Sequence, residues 1–138
     1  IVGRAVETRP TLPVLGNILL ATDDARLRLS ATNLEMSITT WIGAKVDREG
    51  SITLPSRTLA DLVNNLSPER VDLTLEVATQ TVNLKCGGTN ANIKGIDAGE
   101  FPTVQQGGEA DIIVPGKVFK EMITQTVFAA AKEDNRPI

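Results

Sequence analysis

Arg57 and Lys117 stand sixty residues apart in the same local pattern, counted from 57 to 117. Around them Ile52 matches Ile112, Leu54 matches Val114, Pro55 matches Pro115, Leu59 matches Phe119 and Asp61 matches Glu121. Each copy reads as a short strand, a proline that cannot continue the ladder, a small residue, then a helix. The basic side chain falls in the first helical turn both times. Singly, such a residue is a solvated surface charge; repeated in register, it points to contact with an anion. Two copies of one supersecondary unit also suggest a fold made by duplication.

The other reactive side chains exclude more than they offer. The chain has no histidine and no tyrosine. A Ser-His-Asp triad, a Cys-His pair and a His-ligated metal site are therefore all out of reach. Cys86 is the only cysteine; it lies in an alternating apolar pattern and reads as a small core residue. Gly87-Gly88 is followed by Thr89-Asn90, not by the Lys-Ser of a phosphate-binding loop. An enzyme built on Cys86 or the carboxylates would lack a partner to shuttle its proton. Neither catalysis nor a cofactor is expected.

Bulk properties set the scale. At 138 residues, 41% hydrophobic and 22% charged, the chain holds one domain, or one domain and a fragment. No apolar run approaches the ~18 residues of a membrane span. One cysteine permits no internal disulfide, which fits a reducing cytoplasm. The chain opens on Ile1-Val2-Gly3, without Met, and reads as part of a longer protein. A net charge of −3 argues against nucleic acid when taken alone. An acidic exterior with a basic inner face would give the same total, so placement matters more than the sum.

These elements have to position the basic residues. Pro10 and Pro13 hold the start extended, with a strand expected from Val14. Leu27 and Leu29 alternate with Arg26 and Arg28, and Met36 to Val46 form a long period-two segment. The second unit runs from 51 to 95. It holds a strand, a helix with its stripe at Leu59, Leu62, Val63 and Leu66, and a three-strand meander turning at Gly87-Gly88. The first unit repeats that layout without its opening strand and most of its helix. Residues 96–109 read as a linker. A third unit starts at 110 and stops after a helix at 116–130, whose stripe is Phe119, Met122, Ile123 and Val127. Helices packed on antiparallel sheets make this an α+β fold.

Three motifs in order carry a family resemblance: Arg9-Pro10-Thr11-Leu12-Pro13 running into Val14–Leu20, then Thr32-Asn33-Leu34-Glu35, then Glu100-Phe101-Pro102. Together they resemble the N-terminal domain of the bacterial replicative sliding clamp, the DNA polymerase III beta subunit, over nearly the whole chain. The resemblance implies a DNA-clamp fold. Residues 1–109 would form the first clamp domain, lacking its N-terminal strand and most of its first helix; residues 110–138 would begin the second domain. It also implies a non-catalytic ring around duplex DNA, a homodimer in the full-length protein, with helices lining the hole. DNA polymerase and clamp loader would bind through regions outside this chain. A ring that slides touches phosphates and avoids base edges.

Carried over residue by residue, the DNA-contacting positions are Arg9 and Arg57, with Lys117 as the repeat of Arg57. A further cluster falls at Lys132, Glu133, Arg136, Pro137 and Ile138. There this chain lacks the aromatics that many clamps have, so Lys132 and Arg136 would act by charge. The ring-closing edge falls on 89–95, with Ala91 and Ile93 as apolar contacts and Lys85 and Lys94 as basic partners. An aromatic in place of Ala91 would bury more area. A rival reading is an adaptor domain of similar fold that binds only protein; it needs no basic helix face.

Overall fold

The computed structural model describes residues 1–6, 10, 12–104 and 112–130. They divide into two compact units, Ile1–Val104 and the part from Gln105 onward. The first unit contains two antiparallel sheets. One is built from β1 (Asn17–Asp23), β2 (Arg26–Thr32), β3 (Ser37–Gly43) and β4 (Ser51–Pro55), in spatial order β3-β2-β1-β4. After β4 comes helix α1 (Ser56–Asn64), and then β5 (Val71–Glu76), β6 (Thr81–Cys86) and β7 (Thr89–Lys94), which form the second sheet in order.

The register explains the core. Ile18 lies opposite Leu54 and Leu20 opposite Ile52, so these four point to one face. Val82 lies opposite Ile93 in the other sheet. All six join one cluster with Ala31, Leu59, Val2 and Ala5. Leu59 and the partly buried Leu62 bring α1 onto that cluster, as the stripe predicts. Val63, expected in the same stripe, is exposed. Cys86 is buried, as its alternation implies, with Sγ 3.5 Å from the Ser67 carbonyl oxygen.

Several boundaries differ from the sequence reading. The strand expected at Val14 begins at Asn17, because Pro13–Gly16 form a 3₁₀ turn. Proline fits that turn and cannot donate to a ladder. Thr32-Asn33-Leu34-Glu35 is the β2–β3 connection, held by its own side chains. Asn33 Oδ1 accepts from the Met36 amide at 2.7 Å, and Thr32 Oγ1 accepts from the Leu34 amide at 3.0 Å. Gly87 has φ +51° in the two-residue turn between Cys86 and Thr89, which suits glycine. Residues 96–101, read as linker, are anchored: Ile96 pairs with Thr53, and Phe101 is buried.

In the second unit, helix α2 (Gly116–Thr126) is followed by a 3₁₀ turn, Val127–Ala129. Residues 112–115, expected as a strand, form none. A strand needs a ladder partner, and none lies beside this segment among the described residues. The α2 stripe of Phe119, Met122, Ile123 and Val127 is exposed.

Candidate functional site

The helix start of the repeated unit has the same backbone in both copies. Pro55 sits at the N-cap of α1 with φ −55° and ψ 118°; Pro115 sits at the N-cap of α2 with φ −58° and ψ 127°. Neither helix start is capped by a side chain. The amides of the first turn therefore keep their partial positive charge for solvent or an anion. Arg57 and Lys117 follow one residue inside each helix, and both are exposed. Asn64 at the end of α1 and Asn65 just after it are exposed as well. On α2, Lys120 and Gln125 are exposed too.

Three cations of the first unit are paired with carboxylates. Arg26 pairs with Asp23 at 3.3 Å, Lys45 with Asp47 at 3.2 Å and Arg70 with Asp72 at 2.7 Å. The Asp72 hydrogen bond raises the Arg70 guanidinium above its ordinary pKa. Among the described residues no carboxylate lies within 4.0 Å of Arg57 or Lys117. An unpaired surface cation has little to give up when it meets a phosphate, because no ion pair must break.

The proposed ring-closing strand is a sheet edge. β7 ends its sheet, so among the described residues its outer side has no strand partner along Thr89–Lys94. Lys85 and Lys94 are exposed on the face away from the core, beside an amide cluster in which Asn83 Nδ2 donates to Asn90 and Asn92, each at 2.7 Å. Ala91 is half-buried. Ile93 is buried in the core opposite Val82, so within this chain its side chain packs inward beneath the edge. Alternation decides this: 91 and 93 share the inward face, 92 and 94 the outward one.

Arg9, Lys132, Glu133, Arg136, Pro137 and Ile138 lie outside the described residues. Sequence reasoning passed over one feature that is well placed here. Trp41, Asp23 and Arg26 meet on the outer face of the first sheet. The indole Nε1 donates to Asp23 Oδ2 at 2.6 Å, and Arg26 sits 5.8 Å from the Trp41 ring centre. The cross-strand pairing of Asp23 with Arg26, and of Arg26 with Gly43 beside Trp41, was the register signal that could have found it. No group of three or more His, Cys, Asp or Glu side chains among the described residues could hold a metal ion.

Comparison with known proteins supplies the context for this geometry. The family model described as DNA polymerase III beta subunit, N-terminal domain, matches residues 1–105. The beta sliding clamp of Synechococcus elongatus is 38% identical, covering 100% of this chain and 37% of the relative. That of Streptomyces coelicolor is 30% identical over 98% of this chain and 35% of its own length. Among solved structures, a Caulobacter crescentus beta sliding clamp is similar with a TM-score of 0.89 at 34% identity, covering 98% of this chain and 36% of that one. The DNA polymerase III subunit beta of Pseudomonas aeruginosa gives 0.86 at 32%, over 98% and 37%. The chain thus spans a little over a third of the length of these relatives.

Proposed function

We propose, starting from the fact that this chain belongs to the DNA polymerase III beta-subunit family, that it supplies part of the DNA-facing wall of a sliding clamp. The clamp encircles duplex DNA and tethers the replicative polymerase without reading sequence. One observation carries this reading: Arg57 is exposed at the uncapped start of α1, without a carboxylate partner among the described residues, in a backbone setting that Lys117 repeats. Cations so placed suit phosphates, which carry no sequence information.

Family membership supports the rest of the assignment. Arg9 and the cluster Lys132, Glu133, Arg136, Pro137 and Ile138 join the DNA-contacting set. Residues 1–109 act as the first clamp domain and 110–138 as the start of the second. The β7 edge pairs with a second protomer, with Lys85, Lys94 and Ala91 beside it, while Ile93 shapes the edge from within the core. Polymerase and clamp loader bind elsewhere on the full-length protein. The role is non-catalytic and cytoplasmic. No helix among the described residues is long and apolar enough to cross a membrane.

Salt dependence tests the reading. Each neutralised phosphate contributes about 0.9 to the log–log slope of duplex affinity against salt. In the full-length protein, Arg57→Ala is expected to flatten that slope by about this amount for every sequence alike. Unfolding should shift by less than ~0.5 kcal/mol, since the residue is exposed. An unchanged slope would favour the protein-binding adaptor, which needs no basic helix face.

A further inference from the structure

We propose that Arg4 is an additional phosphate contact, set beside Arg57 on the same helix-side face of the first unit; this rests on the reading of α1 given above. Val2–Ala5 forms a single 3₁₀ turn. In such a turn residues i and i+3 lie one above the other. Val2 and Ala5 are accordingly both buried, and both belong to the core cluster that also holds Leu59 of α1. Gly3 and Arg4, between them, are exposed. Two buried anchors therefore fix which way the turn faces, and Arg4 has to lie on its solvent side.

The turn also touches the start of α1. A methyl group built on Gly3 would stand 3.2 Å from Ser56 Oγ, tighter than an ordinary contact. Gly3 precedes Arg4 and Ser56 precedes Arg57, so the two guanidinium groups spring from adjoining backbone. Arg4, like Arg57, has no carboxylate within 4.0 Å among the described residues. A polyanion presents charge at many points and can meet both cations at once, so two exposed arginines on adjoining backbone suit a phosphate backbone.

The probe is a duplex oligonucleotide of arbitrary sequence, titrated against the full-length protein over a range of salt concentrations. Arg4→Ala is expected to lower the log–log slope by about 0.9, and the Arg4→Ala/Arg57→Ala pair by about twice that. Arg4→Lys should restore the slope, because phosphate contact needs charge rather than a guanidinium fork. Arg4→Gln keeps much of the stem and removes only the charge, so it distinguishes lost contact from a disturbed turn. If Arg57→Ala flattens the slope while Arg4→Ala and Arg4→Gln leave it intact, Arg4 is a bystander and the α1 reading stands. If none of the three has an effect, the helix-face reading itself is overturned.

Discussion

The two sheets of the first unit contain the same three-strand meander, yet they bury its first strand to very different extents. In the first sheet β1 lies between β2 and β4, and its core-facing Ile18 and Leu20 are each 5% exposed. In the second, β5 has β6 on one side and, among the described residues, no strand on the other, and its core-facing Val71 and Leu73 are 43% and 40% exposed. The exposure is local. Cys86 and Leu84, directly opposite on β6, are 2% and 1% exposed. The covering strand of the first sheet, β4, opens the repeat whose meander forms the second. The first meander is thus covered by a strand that its own repeat does not contain; a reciprocal strand against β5 would complete the exchange.

If that is correct, the same substitution should cost far more at the covered junction than at the uncovered one. Leu54 of β4 is completely buried against Ile18. Leu54→Ala is expected to destabilise by about 2–5 kcal/mol, the range for truncating a core leucine. Leu73→Ala should cost less than about 1 kcal/mol, because much of that side chain is already in water. Urea unfolding followed by circular dichroism compares the two. Equal losses would mean that β5 is covered in solution and that the contrast between the sheets is absent there.

A smaller effect should come from the polar link between the sheets. Thr53 is buried on β4; its hydroxyl accepts from Asn17 Nδ2 at 2.9 Å and donates to the Ile96 carbonyl oxygen at 3.0 Å. The Thr53 backbone also exchanges two hydrogen bonds with Ile96, each 3.0 Å. Gly95 allows this approach, since a side chain there would collide with the Thr53 carbonyl oxygen. Thr53→Val keeps the shape and strands the Asn17 amide, at a cost of about 1–3 kcal/mol. Thr74→Val on exposed β5 should stay within about 0.5 kcal/mol. A Thr53 variant as stable as the Thr74 variant would show that the link is not what joins the sheets.

The same contrast shows where the sequence was legible. The second repeat was readable in order, because Leu59, Leu62 and the alternation of Val82, Leu84 and Cys86 all serve a core that the chain contains. The turn at Gly87-Gly88 was readable because its geometry is local. Pattern reading failed where neighbours are missing or distant. Val63 and the α2 stripe look like core but are exposed, and residues 112–115 look like a strand but pair with nothing among the described residues. Ile96 looked like linker because its partner, Thr53, lies 43 positions away. Of the candidate site, Arg57 and Lys117 were found through repetition. Arg4 was not, because a single 3₁₀ turn leaves too short a period to see.

The smallest expected effect also tests the exchange most directly, because it adds a strand instead of removing a contact. An N-terminal extension of roughly twenty residues, about one strand and one helix in length, can be given the alternation of β4, with isoleucine and leucine facing inward. Its target is the outer side of β5, where Asp72, Thr74 and Glu76 face solvent and Val71 and Leu73 face an incomplete core. Pairing there would satisfy the free amides and carbonyls of an edge strand and cover two half-exposed apolar side chains. A net gain near 1 kcal/mol is reasonable after the entropy of ordering the new segment is subtracted. For a domain of this size that corresponds to a rise in thermal midpoint of about 4–8 °C. Amide exchange should slow in β5 but not in β1, which already has β4 beside it. An extension of equal length carrying prolines at alternate positions cannot pair and serves as the control. A gain shared by the control would be unrelated to pairing. No gain from the alternating extension would show that β5 is not an acceptor edge, leaving its exposed valine and leucine without the role argued here.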